Sequence, residues 1–597
     1  MSSHKDNRIK AIISLSRKAF GKYKSQIVIL TVLGFLGGFL EGIGINAIIP
    51  LFSFVSGDSM GTAGDLISKL IENFFSFLHI TFSVKYLLIF ICLLFIFRAI
   101  ALVLFSYIKI KITADYEEKM RGYLFSQTIE ANWPYLLKQK IGYLETVLMT
   151  DVSRASMLLE KIGTVIMALT SLSVYTFVAI NISLQITLMT FVLGGVLFLF
   201  LKPLIYKTRA TAYEVADINK QVAHHINENI TGMKTVKVMH ASDSILRISK
   251  QYFSKLKNLR VRIFLLKNIT GAFVQPVSLV FICVLFAFSY KTPDFSFAAL
   301  AAIIYLVQRI FTYIQQLQTD LHVTNEMIPF LISVLDHEEQ SLKHKEDMGG
   351  KENFEFNKKL ELKNIDFSYI SESKVLANLN LEIKKGEMIG LIGPSGAGKT
   401  TVVDLILRLL KPKKGEILLD NKNINNIGME EWRKNIGYVS QDIFLMNDTI
   451  ENNIKFYNKS VTKKDIEEAA KQAQIYDFIQ DCPDKLSTII GERGVKLSAG
   501  QRQRIIIARI LAKKPKFLIL DEATSALDSE SEVKIQKVIE SLKGKITVLV
   551  IAHRLSTIIN SDRLLVLEKG KIVERGSAQE LLKNKESYFY KVYNIRK

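Results

Sequence analysis

The sequence predicts two unlike halves: an all-α transmembrane domain of six helices and, behind it, an α/β domain built to hold a phosphate chain. Apolar residues make up 49% of the chain and mean hydropathy is +0.21, more than a water-soluble enzyme usually carries. The excess lies between about residue 26 and residue 318, in runs near the ~20 residues that cross a bilayer. From about residue 359 onward, β-rich runs alternate with helical ones. At 597 residues the chain is too long for one domain. The expected division is a membrane domain over 1–335, a linker over 336–358 rich in Glu, Lys, His, Gly and Asn, and a nucleotide-binding domain over 359–597.

Lys and Arg number 78 against 57 Asp and Glu, a balance of +21. A nucleic-acid partner is one source of such a surplus, but membrane topology is a plainer one. Basic residues crowd the first 25 positions, 109–154 and 202–267, whereas the short loops around 181–184 and 290–296 carry only Lys291. That asymmetry places the basic loops in the cytoplasm and leaves no nucleic acid to invoke. Cys92, Cys283 and Cys482 have no paired spacing and read as packing residues. The first apolar run starts about 26 residues in and is as long as a span, so it reads as a retained anchor rather than a cleaved signal.

The first span is expected over about Ile27–Val55, and its Gly34, Gly38 and Gly42 place a flat stripe on one face for close helix approach. Glu41 lies within it, and an ionisable group at that depth needs a partner or a cavity. Two readings are open: a buried pair with an arginine such as Arg98 of the second span, or contact with a polar transported group. Leu66, Ile67, Leu70, Ile71, Phe74, Phe75 and Leu78 then recur at helical spacing opposite Asp65, Lys69 and Glu72, which fits a helix in the membrane interface or one packed in a core. The remaining spans are expected near 86–108, 158–180, 184–204, 269–290 (interrupted by Pro276) and 295–313, with a turn at Trp133-Pro134. Arg309, near Gln308 and Gln315, is either capped by helix carbonyls or part of a polar pathway. Six spans return both ends to the basic side, which suits a cytoplasmic second half.

In that half, Gly393-Pro394-Ser395-Gly396-Ala397-Gly398-Lys399-Thr400 fits GxxxxGKT between an apolar strand, Met388 to Ile392, and a helical pattern, Thr401 to Leu410. The glycines let backbone N–H groups curl around phosphates, Lys399 can reach the β- and γ-phosphates, and the Thr400 hydroxyl can join a Mg²⁺ shell. Phe517-Leu518-Ile519-Leu520-Asp521-Glu522 reads as a buried strand ending in a Mg²⁺-binding Asp and a catalytic Glu. Leu497-Ser498-Ala499-Gly500-Gln501 opens a helix containing Arg502, Gln503 and Arg504, with Ser498 as a cap and backbone N–H groups aimed to suit a γ-phosphate.

These residues resemble the nucleotide-binding domain of an ATP-binding cassette (ABC) transporter, fused behind six spans as in a type I ABC exporter half-transporter. Five separate signals occur in that family's order. The resemblance implies ATP and Mg²⁺ as ligands, with the P-loop from Gly393 through Thr401 around the phosphates. It makes Tyr369 the aromatic that stacks on adenine and Gln441 the glutamine linking Mg²⁺, held by Thr400, Gln441 and Asp521, to the membrane half. It makes Glu522 the group that polarises the attacking water and His553 the switch residue at the γ-phosphate, and it gives Asp528 to a loop that crosses to the partner. Gly491-Glu492-Arg493-Gly494 resembles the segment that exporters set against coupling helices, which are then expected near 135–142 and 230–237. Ala499 departs from the family's commonest signature, which has Gly, and keeps both the backbone donor and the capping Ser498.

Phosphoryl transfer also needs charge stabilisation on the far side of the triphosphate, which this family supplies from a second chain. A homodimer with two competent sites in the bacterial inner (plasma) membrane is therefore expected. In the membrane half, Phe39-Leu40-Glu41, Pro50, Phe97-Arg98-Ala99, Arg309 and the amphipathic segment are similar to bacterial flippases of lipid-linked oligosaccharides. That similarity implies an amphipathic lipid substrate whose pyrophosphate meets arginines, with Glu41, Arg98 and Arg309 as candidate contacts. A peptide exporter and a multidrug or lipid A type exporter are the alternatives, with no cysteine-protease domain ahead of the first span to favour peptides. A regulatory membrane ATPase that moves nothing is the alternative of another class.

Overall fold

The computed structural model describes residues 20–47, 51, 66–289, 297–369, 374–523, 527–552 and 554–595. The chain forms two compact units: Met1–Ala131 with Tyr135–Lys345, and Asn132–Pro134 with Glu346–Lys597.

In the first unit the helices are α1 (Lys24–Asn46), α2 (Leu66–Phe77), α3 (Val84–Ile129), α4 (Trp133–Lys138, whose first two residues count with the second unit), α5 (Val152–Ile182), α6 (Leu184–Thr231), α7 (Met233–Val238), α8 (Ser242–Ser289) and α9 (Phe297–Lys343). A short helix, Ile141–Glu145, and a π-helical stretch, Thr146–Asp151, lead directly into α5. Among the described residues, six helices are long and apolar enough to cross a membrane.

The glycine stripe of α1 meets α5. A methyl added at Gly34 would stand 2.7 Å from Thr170 Oγ1, one at Gly38 would stand 3.3 Å from Ser171 Cα, and one at Gly42 would stand 3.0 Å from Val174 Cγ1. Glycine here lets two helix backbones close on each other, which is where apolar helices gain their packing energy in lipid. Only Ser183 separates α5 from α6, and its hydroxyl accepts from Ile186 N, capping the start of α6.

The long helices run well past the apolar runs, because their inner ends are stabilised by packing rather than by apolarity. Several expectations are corrected. Pro276 does not interrupt its span: α8 is continuous across it, as are α6 across Pro203 and α9 across Pro329. One missing N–H leaves the rest of a 48-residue ladder intact, and a break in lipid would expose further unpaired backbone. The turn expected at Trp133-Pro134 is instead the start of α4. The 336–358 linker is absent as such. Residues 336–343 are the last turns of α9, while Phe354 and Phe356 are buried in a core with Trp432 and Phe517. The α2 segment packs inward through Ile71 and Phe75, beside Ile45, Leu87 and Tyr175, and leaves Phe77 80% exposed. Asp65, Pro50 and Lys291 lie outside the described residues.

The second unit holds two sheets. An antiparallel one has the order β2 (Leu376–Lys384), β1 (Lys359–Phe367), β4 (Lys414–Leu419), β5 (Lys422–Asn423). The larger has the order β10 (Lys571–Gly576), β9 (Arg563–Glu568), β3 (Met388–Ile392), β8 (Thr547–Ile551), β7 (Phe517–Asp521), β6 (Ile436–Val439). Its pairs are parallel except β10 with β9, and a helix, α11 (Met429–Asn435), leads directly into β6. Every residue of β3, β7 and β8 is buried, as central strands covered on both faces require. Parallel strands bring their C-terminal ends to one edge of the sheet, and the phosphate loop, the acidic pair and Gln441 all follow such ends.

Candidate functional site

The loop after β3 turns into α10 (Lys399–Ile406) through three glycines with positive φ: Gly393 at 153°, Gly396 at 78° and Gly398 at 103°. Two of them also have no room for a side chain. A Cβ at Gly393 would lie 2.0 Å from the Leu567 carbonyl oxygen, and one at Gly398 would lie 2.8 Å from Leu376 Cδ2. The backbone can therefore curl where any other residue would block it, and the cradle fits a phosphate chain. Lys399 Nζ donates to the carbonyls of Gly393 (2.9 Å) and Pro394 (3.0 Å), folding its ammonium over the loop. Burial lowers the pKa of Lys399, and Glu522 and Asp521 act the other way. Ala397 and Thr401 are buried, whereas Ser395 and Thr400 are exposed at the mouth. Tyr369 is 55% exposed, packs its ring edge-to-face on Phe367 and places its hydroxyl 3.2 Å from Thr401 Oγ1.

Asp521 ends β7 and Glu522 follows it in the left-handed region, at φ 51°. Its N–H is anchored on the Ile551 carbonyl of β8 at 2.8 Å. A non-glycine residue held there costs on the order of 1 kcal/mol, and the turn aims the carboxylate back across the sheet edge. Gln441, two residues past β6, donates from Nε2 to Glu522 Oε2 at 2.9 Å. The structure thus brings together Lys399, Gln441, Asp521 and Glu522. His553 and residues 524–526 of the crossing loop lie outside the described residues. Asp528 caps α13 (Ser529–Leu542), accepting from Ser531 N at 3.1 Å.

Two neighbours of this site carry no sequence signal of their own. Tyr438 of β6 reaches Asp521 Oδ2 at 3.5 Å, with its hydroxyl pKa pushed up by burial and by Asp521. Asp404, on the inner side of α10, has a carboxyl pushed up to about 6 by burial and by Asp521.

Ser498 caps α12 (Ala499–Leu511) in a reciprocal box: its Oγ accepts from Gln501 N (3.2 Å) while Gln501 Oε1 accepts from Ser498 N (2.8 Å). Gly500 packs against α13, where a Cβ would meet Ser531 Oγ at 2.1 Å and Ser531 Cβ at 2.5 Å. Ala499 is half-buried and leaves this box complete. Gly500→Ala is expected to cost about 1–3 kcal/mol, because the overlap is with a packed neighbour. Ala499→Gly should change stability by less than about 1 kcal/mol. Thermal melts of the two variants check this, and a Gly500→Ala protein as stable as wild type would contradict the packing.

In the membrane half, Glu41 of α1 is 1% exposed and pairs with two cations. Arg98 of α3 contacts its Oε2 through Nη2, and Arg309 of α9 lies 3.0 Å from its Oε1. The Tyr175 hydroxyl of α5 donates to Glu41, and Arg309 Nε donates to the Tyr305 hydroxyl at 2.8 Å. The pairing with Arg98 is the first of the two readings left open for Glu41. Arg309 is capped by a carboxylate and a phenol rather than by helix carbonyls.

Comparison with known proteins places this geometry. Residues 27–317 match the model of the ABC transporter transmembrane region, and residues 376–525 match the ABC transporter model. The ATP-dependent lipid A-core flippase of Syntrophus aciditrophicus is 33% identical over 518 residues, 83% of this chain and 82% of that protein. The chain belongs to the ABC transporter family. The heterocyst differentiation ATP-binding protein HepA of a Nostoc strain is 32% identical over 480 residues, 78% of this chain and 77% of its own. A bacterial Atm1-family ABC exporter solved with ATP bound shares the fold, with a TM-score of 0.80 at 22% identity, over 96% of this chain and 99% of that one. One membrane region fused to one ATPase domain makes this ABC transporter an exporter-type half-transporter. It is a multi-pass membrane protein that binds ATP and couples its hydrolysis to transport.

Proposed function

We propose that this half-transporter works as a homodimer in the bacterial inner membrane and flips an amphipathic lipid with an anionic headgroup, a lipid-linked oligosaccharide or a related lipid. The observation that carries the substrate class is the Glu41 cluster: two guanidiniums share one carboxylate inside apolar runs, a surplus of one positive charge. Arg98 Nε is buried with no hydrogen-bond partner among the described residues. A surplus cation at this depth is costly unless an anion visits it, and guanidinium forks suit phosphate oxygens. The relative named above is a flippase of lipid A-core, itself an amphipathic lipid, which supports the same class.

At each nucleotide site, Lys399 and the glycine loop hold the phosphates and Glu522, oriented by Gln441, polarises the attacking water. The Ser498 helix start of the partner chain would close the far side. Thr400, Asp521 and Gln441 supply a hydroxyl, a carboxylate and an amide at one sheet edge, a donor set that fits Mg²⁺. When bound, that ion neutralises charge on the phosphoryl oxygens. In this reading Tyr369 stacks on adenine and His553 contacts the γ-phosphate. Helices α4 and α7 are the coupling elements in this reading.

The test is the ATPase rate of the purified protein in vesicles, with and without polyprenyl-pyrophosphate oligosaccharide, followed by sugar accessibility on each leaflet. Stimulated hydrolysis with ATP-dependent leaflet transfer is the expected result. Brisk hydrolysis without transfer would overturn the lipid-linked sugar and redirect the search to lipid A-core and peptides. A rate insensitive to every lipid and solute would favour a regulatory ATPase.

A further inference from the structure

Tyr369 stands two residues past the end of β1 and is 55% exposed, so an unassisted ring there would sample several rotamers. Three contacts restrict it. The buried Phe367 meets the ring edge-to-face, with centroids 5.0 Å apart and planes at 90°. Ser368, buried between the two aromatics, is pinned by Lys413, whose backbone N–H donates to the Asp366 carbonyl at 2.9 Å and whose Nζ donates to Ser368 Oγ at 2.6 Å. At the far end of the ring, the Tyr369 hydroxyl lies 3.2 Å from Thr401 Oγ1, and Thr401 is 4% exposed in the first turn of α10. The ring is thus fixed at its backbone, its edge and its tip, while more than half of its surface stays open to a ligand.

Neighbouring hydroxyls of the phosphate loop therefore do different work. Thr400 is exposed at the mouth, where it can reach a ligand's oxygens, whereas Thr401 is buried and its hydroxyl meets the tyrosine. One residue along a helix is a rotation of about 100°, enough to send the two side chains to different sides. The contact between Tyr369 and Thr401 spans 32 positions of chain and ties the base end of the nucleotide site to its phosphate end.

We propose that Thr401 is a positioning residue for the nucleotide base: its hydroxyl holds Tyr369 in the orientation that receives the purine, so that binding need not freeze the ring. This role rests on the reading in which Tyr369 stacks on adenine, and Thr401 acts through that ring rather than through the phosphates. The full-length protein in detergent with Mg²⁺ is titrated calorimetrically with ADP and, separately, with inorganic pyrophosphate, which carries the phosphates without a base. Thr401→Val, close to threonine in shape, is expected to raise the Kd for ADP at least about threefold, the cost of fixing one freed side chain, and to leave that for pyrophosphate within about twofold. Tyr369→Phe should weaken ADP by a similar factor, and the two changes together by no more than the larger single effect, since each removes the same bond. Thr401→Ser keeps the hydroxyl and should bind ADP within about twofold of wild type.

Equal losses for ADP and pyrophosphate in Thr401→Val would put the hydroxyl at the phosphates and overturn the role, as would losses that add in the double variant. Tyr369→Ala separates the tether from the stacking beneath it. If that variant weakens ADP at least about tenfold while Thr401→Val changes nothing, stacking stands and the tether falls. If it leaves ADP affinity unchanged, the stacking reading falls and takes the tether with it.

Discussion

Glu522→Gln is expected to slow ATP hydrolysis by a factor on the order of 10²–10³ while leaving ATP affinity within a few fold, because general-base assistance contributes that much and the amide keeps the shape. The geometry makes the substitution clean. Glu522 stands just past β7, its N–H fixed on Ile551, and Gln441 Nε2 is its partner at 2.9 Å. Glutamine can still bond Gln441 but cannot polarise water. The phosphate cradle from Gly393 to Thr400 is untouched, so the variant should load ATP and hold two chains together. Phosphate release and retention of radiolabelled ATP on the dimer measure the two halves of the claim. Hydrolysis at near wild-type rates would remove Glu522 from its role and leave the cradle assignment standing.

Glu41→Ala should be the most destabilising single change in the membrane half, by roughly 3–5 kcal/mol, the cost of stripping a buried charge of its partner. Here one deletion orphans two guanidiniums, Arg98 and Arg309, and the Tyr175 hydroxyl as well. The measurement is a thermal denaturation series in detergent with Glu41→Met, Arg98→Met and the pair combined. Removing both charges is expected to cost less than the sum of the single changes, since the double variant leaves fewer unmatched ions. Additive losses, or a Glu41→Ala protein within about 0.5 kcal/mol of wild type, would show that the three charges are not held by one another.

Much of this was legible in the chain itself. Six apolar runs, the basic loops and the phosphate loop each rest on a physical constraint that allows few residue types, so composition and spacing suffice. The glycine stripe at 34, 38 and 42 is one such case, since close helix approach leaves no alternative to a missing side chain. Where packing decides, the sequence was silent or misleading. The polar stretch after Asp336 reads as a linker although Phe354 and Phe356 anchor it in the second unit. Pro276 reads as a break although tertiary support carries the helix through. Glu41, Arg98 and Arg309 each stand out as a charge in an apolar run, but that both arginines meet the one carboxylate depends on three helix rotations that no local pattern encodes. Tyr438 and Asp404 flank the acidic pair only because β6 and α10 are folded beside β7.

The Glu41 cluster also divides the membrane unit mechanically. Through one carboxylate it fastens α1, α3, α5 and α9, whereas α6 and α8 carry none of its members. Four helices pinned at a common point will shift together, and the easier sliding surface runs along the seams they share with α6 and α8. A movement that parts the two groups would open those seams, and one that brings them together would close them, without any residue changing its charge.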